Sequence, residues 1–134
     1  DLVLFEYEPD VGRSRRVVQV ETADDFEMGV VVYRAKDSLD LDTPYKPVTD
    51  ADLVATNEFA VVFGDKFACK TTVEADASGT TPAIAFVGFD VVLKDEMLLK
   101  VNGFDRDSDE HKALKALLER QDVILAETMV PVTQ

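Results

Sequence analysis

The chain has 134 residues, of which 46% are hydrophobic and 31% charged, a size and composition typical of one folded domain and not of a disordered chain. Its 27 acidic residues outnumber its 14 basic residues and give a formal net charge of −13. Such a surface repels phosphate backbones and anionic lipids, so nucleic acids and membranes are excluded as expected partners. Solubility in a crowded setting, or a halophilic source, would explain the same acidity.

The first strand-like stretch runs from Leu2 to Tyr7, and the turn-forming residues Glu8 to Gly12 follow it. Two interpretations stay open for this region. In one, residues 1–12 are an N-terminal arm that adds a strand to another protein, and residues 13–134 are a single globular domain. In the other, the stretch is the first strand of the domain's own sheet.

The middle of the chain predicts more strands. Arg16 to Glu21 and Met28 to Arg34 are rich in β-branched residues. Lys36 to Asp52 carries five aspartates and two prolines and predicts an irregular surface segment. Glu58 to Val73 predicts a hairpin that turns at Gly64-Asp65.

Ala83 to Lys94 is almost continuously apolar and should form the centre of the core. A helix is predicted next, with Asp107 as its cap, Glu110 in a capping box, and an apolar face of Ala113, Leu114, Leu117 and Leu118. A last strand is predicted from Val123 to Val130. The pattern as a whole predicts a strand-rich α+β domain with mixed or antiparallel strands and one main helix in the C-terminal half.

Residues able to support catalysis are sparse. Cys69 is the single cysteine, so no intrachain disulfide can form, and its apolar neighbours favour a structural role. His111 is the single histidine, and its place in the first helical turn predicts a solvent-exposed side chain. Without a further histidine or a nucleophile motif, we expect no catalytic residues, no enzymatic activity and no cofactor.

Asp105, Asp107 and Asp109 have the spacing of the first half of a calcium loop. The sixth position should be glycine and is Glu110, and the twelfth should be glutamate and is Ala116. An acidic helix N-terminus explains the cluster better, so no metal site is predicted. The paired acids Asp24-Asp25 and Asp95-Glu96 are expected to lie on solvated surfaces.

Four short apolar and glycine-containing segments occur in a characteristic order between Glu27 and Glu127. They are Met28 to Tyr33, Ala60 to Gly64, Ala85 to Leu93 and Ala113 to Leu125. In this order the chain resembles the lambda-type head-decoration, or capsid cement, proteins of tailed phages. Asp122 departs from the glycine that usually follows the helix in that family, residues 36–52 lack its glycine-rich turn, and residues 2–21 have no counterpart in it.

The resemblance implies a non-enzymatic virion protein, folded in the host cytoplasm, that binds the capsid exterior as a homotrimer. Its partner would be the major capsid protein, and its role would be to stabilise the expanded head. Leu2, Val3, Leu4 and Phe5 would then be candidate capsid-binding residues if they form an arm. The alternatives are an acidic domain that binds a small ligand or metal, and another virion subunit such as a tail-associated one.

Overall fold

The computed structural model describes residues 2–6, 15–21, 26–36, 43–65, 72–74, 78–88, 91–95, 98 and 108–126. The strands within these ranges are β1 (Val3–Glu6), β2 (Arg15–Glu21), β3 (Phe26–Glu27), β4 (Val31–Ala35), β5 (Lys46–Pro47), β6 (Asn57–Asp65), β7 (Thr72–Val73), β8 (Thr80–Phe86), β9 (Val91–Lys94) and β10 (Val123–Ala126). A short 3-10 helix spans Asp50–Asp52, and helix α1 spans Asp109–Glu119. The predicted strand-rich α+β class is confirmed.

The largest sheet has five strands in the order β2-β8-β6-β4-β5, with every neighbouring pair antiparallel. Its two outermost strands also meet. The Tyr45 N–H donates to the Gln19 carbonyl at 2.8 Å, and the Glu21 N–H donates to the Tyr45 carbonyl at 2.8 Å. These two hydrogen bonds close the sheet into a small barrel, and closure removes the exposed edges that an open sheet would present.

The barrel interior is filled by alternate residues of each strand, as expected for strands whose successive side chains point to opposite faces. The space is narrow, because β6 and β8 contribute three fully buried alanines. The interior cluster consists of Val18, Val20, Val30, Val32, Tyr45, Ala60, Val62, Val73, Ala83 and Ala85. Val73 comes from the two-stranded ribbon β3-β7, which packs against the barrel.

A second layer covers one side of the barrel. Its three-stranded sheet has the order β1-β9-β10, with β1 antiparallel and β10 parallel to β9. The buried faces of this sheet, of α1 and of the barrel wall share one core. Its buried members are Leu2, Val31, Val48, Phe59, Val61, Phe86, Val91, Leu93, Leu98, Leu114, Leu118, Val123 and Leu125.

Three of the predicted elements differ from the structure. Gly64 and Asp65 continue β6, which pairs with β4 and β8, so the predicted turn at this position is wrong. The segment from Lys36 to Asp52 is not wholly a surface loop, because Tyr45 is 4% exposed and closes the barrel. The run from Ala83 to Lys94 does supply core residues, but it divides into β8 and β9, which belong to different sheets.

Helix α1 begins one residue later than the sequence predicts. Ser108 is the N-cap, and its side chain accepts a hydrogen bond from the His111 N–H at 3.2 Å. Asp107, the predicted cap, lies outside the described residues. The predicted apolar face is present, since Leu114 and Leu118 are buried and Leu117 packs against the same core.

Candidate functional site

The structure places the single histidine in the protein interior. His111 is 4% exposed and Asp95 is 3% exposed. Both predictions of solvated side chains at these positions are therefore wrong. His111 lies three positions before Leu114 and seven before Leu118, so the helical spacing of the apolar face places it on the buried side of α1. That spacing was the signal for its burial, whereas its partner, 16 positions earlier in the chain, is given only by the tertiary structure.

Asp95 and His111 form a buried pair that joins the end of β9 to the first turn of α1. Nε2 of His111 lies 3.2 Å from Oδ2 of Asp95, with the alignment of a hydrogen bond. Oδ1 is 3.0 Å from the same nitrogen, but without that alignment. Among the residues that the structure describes, Nδ1 of His111 has no hydrogen-bond partner. The pair holds two elements of the second layer together, because separating it would leave two buried polar groups unpaired.

An ion pair lies between β1 and the barrel. The Arg15 guanidinium contacts the Glu6 carboxylate, with its closest approach of 2.8 Å between Nη2 and Oε1. The guanidinium carbon also stands 4.8 Å from the Phe63 ring centre and 5.4 Å from that of Phe86. Buried Glu6 is thus neutralised by a cation that rests on the aromatic barrel wall, in a cation–π arrangement.

A similar cluster stands where the barrel closes. Arg34 pairs with Glu58, and its guanidinium carbon lies 4.6 Å above the ring of Tyr45. Burial, followed by the charge of Glu58, raises the pKa of the Tyr45 phenol, and the nearby arginines oppose that rise. The phenol of Tyr45, the residue that closes the barrel, is therefore uncharged at ordinary pH.

Of the two interpretations of the N-terminal stretch, the structure shows the strand in the domain's own sheet. Val3 pairs with Leu93 and Phe5 with Val92, and Leu2 is fully buried in the core. Leu2 therefore has no surface to offer a partner while β1 is in place. The side chains of Leu4 and Phe5 lie outside the described residues.

The second layer nevertheless presents an apolar surface. In β9 and β10 the core residues alternate with residues on the opposite face of the sheet, where Val92 and Ile124 stand side by side in register. Ile124 is 42% exposed, and Val92 and Ala126 are partly exposed. We call Val92, Ile124 and Ala126 the outer sheet face. The backbone of β1 borders it, because Phe5 pairs with Val92.

The described residues show little that would hold a small ligand. They contain no group of three or more histidine, cysteine or acidic residues placed to bind a metal. Asp105 and Cys69 lie outside the described ranges, and Asp109 is exposed in the first turn of α1. A shallow cleft of about 380 Å³ is lined by Ala35, Lys36, Thr56 and Asn57. Among the described residues, no helix has the length and apolar character needed to cross a membrane.

Comparison of the chain with protein-family models, with curated proteins and with solved structures finds no match. The geometry of the described residues defines a class of protein: a closed barrel, covered on one side by a mixed sheet and a helix, with an apolar face exposed on an otherwise acidic molecule.

Proposed function

We propose that this chain is a non-enzymatic structural protein that binds the exterior of a tailed-phage capsid as a homotrimer and stabilises the expanded head. The observation that carries the proposal is the outer sheet face, where Ile124 is 42% exposed beside Val92. A β-branched apolar pair on the uncovered side of a sheet is a surface suited to protein contact.

The position of this face supports the proposal further. Its three residues are uncharged, although the chain carries a net charge of −13, so this part of the surface can be desolvated without burying a charge. It is bordered by the backbone of β1, which pairs with β9. In a trimer three copies of the face would engage together, and modest individual contacts would add through high effective concentration.

Sedimentation of the purified chain with expanded lambda-type phage heads that lack their own decoration protein tests the proposal. We expect saturable co-sedimentation. Ile124→Lys should weaken it by about tenfold or more, since it places a charge at the centre of the contact. Val54→Lys is the matched control, because Val54 is likewise an exposed β-branched apolar residue, at 46%, but lies far along the chain beside the 3-10 helix.

The control variant should bind as the unchanged chain does. If the unchanged chain stays in the supernatant at every concentration, the capsid proposal fails. If it binds and both lysine variants bind equally well, the outer sheet face is not the contact. Thermal unfolding of each variant shows whether a loss of binding comes from a loss of folding.

A further inference from the structure

A second uncovered surface lies on the barrel wall formed by β2 and β8. On the outer side of this wall Val17 pairs with Ile84 and Gln19 with Pro82. Val17 is 51% exposed, and the other three are at least partly exposed. We call these four residues the barrel face. The inner side of the same strands is fully used, because Val18, Val20, Ala83 and Ala85 fill the barrel.

The two ends of this face carry opposite charges. Residues of β2 that share the outer side with Val17 and Gln19 are Arg15 at one end and Glu21 at the other. The opposing β8 residues, Phe86 and Thr80, are uncharged. Arg15 uses Nε and Nη2 to contact Glu6, so its Nη1 group takes no part in that pair, and its side chain remains 35% exposed.

We propose that the barrel face is a two-fold contact between copies of this chain. A row that reads positive, apolar, polar, negative is complementary to itself when a second copy is turned by 180°. Arg15 then faces Glu21 of the second copy, and Val17 faces Gln19 of the second copy, each twice. This self-complementarity is what a two-fold interface requires.

The net charge of the molecule restricts the surfaces at which two copies can meet. Two copies that each carry −13 repel one another, so a stable contact has to form where charge is absent or cancels. The barrel face has an uncharged centre and Glu21 at one end. At the other end Arg15 already pairs with Glu6 through Nε and Nη2 and offers its Nη1 group to Glu21 of the second copy. This contact does not rest on the proposed capsid binding, and in a trimeric assembly it would join one trimer to another.

The size of the face sets the strength of the contact. The seven residues of β2 span about 20 Å, and the face is two strands wide. The area of the face is therefore well below the roughly 800 Å² that each partner buries in a standard stable interface. Association in solution is therefore weak and depends on protein concentration. Copies held close together on a larger assembly would associate more readily.

Analytical ultracentrifugation of the whole chain over a range of concentrations, at about 0.15 M salt, tests the contact. We expect a reversible monomer–dimer equilibrium. Val17→Lys and Gln19→Glu should each weaken dimerisation by about tenfold. Each substitution occurs once in each copy and so places two charges of the same sign in the contact, neither of which faces an opposite charge. Val54→Lys, which adds the same charge at an exposed valine elsewhere, should dimerise as the unchanged chain does.

Mixing the two variants gives the decisive measurement. In the proposed geometry the Val17→Lys copy meets the Gln19→Glu copy with opposite charges, so the mixture should form a heterodimer more readily than either variant alone forms a homodimer. A mixture that associates no better than its components overturns the two-fold contact. So does an unchanged chain that stays monomeric at the highest concentration reached.

Discussion

The side-chain amide of Gln121 and the peptide of Phe59 are joined by two hydrogen bonds in the manner of neighbouring strands. Gln121 Oε1 accepts from the Phe59 N–H at 2.7 Å, and Gln121 Nε2 donates to the Phe59 carbonyl at 2.7 Å. The pairing of Val61 with Phe86 would place Gly88 opposite Phe59, but β8 ends at Phe86. Gln121 thus takes the place of the missing strand residue and fastens the second layer to the barrel.

Replacing Gln121 by alanine should lower the free energy of unfolding by about 1–3 kcal/mol, because it leaves the Phe59 peptide without its partners in a partly buried position. Urea unfolding measures the loss, and hydrogen exchange should show faster exchange of the Phe59 amide. Gln19→Ala is the control, since Gln19 is exposed on β2. Equal, small losses for both variants would show that the Gln121 bonds are not needed for stability.

Gly88 lies close to the backbone of Gln121. A Cβ at Gly88 would lie 2.7 Å from the carbonyl oxygen of Gln121, and the φ of Gly88 is +153°. Gly79 also has a positive φ, of +85°, but a Cβ there would meet no atom within 4 Å.

We therefore expect Gly88→Ala to destabilise the protein by at least about 1 kcal/mol more than Gly79→Ala, because the backbone has to shift as well as adopt a strained conformation. The midpoints of thermal or urea unfolding of the two variants give the comparison. A Gly88→Ala protein as stable as Gly79→Ala would mean that the Gln121 backbone can move away without cost.

The pair of Asp95 and His111 should be strongly coupled. Asp95→Ala and His111→Ala should each lower the free energy of unfolding by about 2–4 kcal/mol, since each leaves a buried polar partner unsatisfied as well as a cavity. The double variant should lose less than the sum of the two. A double-mutant cycle from urea unfolding measures this coupling, and strictly additive losses would show that the two side chains do not stabilise one another.

Asp52 makes a specific contribution at acid pH. Its partial burial acts to raise the pKa of its carboxyl. The carboxylate accepts hydrogen bonds from the Thr49 hydroxyl at 2.7 Å, from the Thr49 N–H at 2.9 Å and from Tyr33. These bonds, together with the charge of Lys46, lower the pKa overall. A lowered pKa in the folded state means that the carboxylate stabilises the fold above its unfolded pKa of about 3.9 and loses this effect as the pH falls through the lower folded value.

The unchanged chain should therefore lose stability more steeply on acidification below about pH 4 than Asp52→Asn does. At neutral pH the variant should be the less stable of the two, because the Asp52 carboxylate accepts two hydrogen bonds from Thr49 at the start of the 3-10 helix. Urea unfolding at a series of pH values measures both effects. Parallel stability curves for the two proteins would contradict the assignment.

Several elements were predictable because their signals are local. The β-branched residues of Arg16 to Glu21 predicted β2, and the spacing of Leu114, Leu117 and Leu118 predicted the buried face of α1. The turn predicted at Gly64-Asp65 is wrong, because a glycine-aspartate pair suits a turn while the actual conformation depends on hydrogen bonds to β8, which is distant in the chain. The outer sheet face was missed as well, since Ile124 shows its exposure only after β10 pairs with β9.

The sequence by itself determined the strand-rich α+β class, the acidic surface and the apolar segments that had to be buried, because these follow from composition and from short-range periodicity. The tertiary structure decided that Tyr45 closes a barrel, that His111 is buried against Asp95 and that Gln121 replaces a strand residue. Each of these contacts joins residues at least 16 positions apart, and their partners are selected by the packing of the whole chain and not by any neighbouring residue.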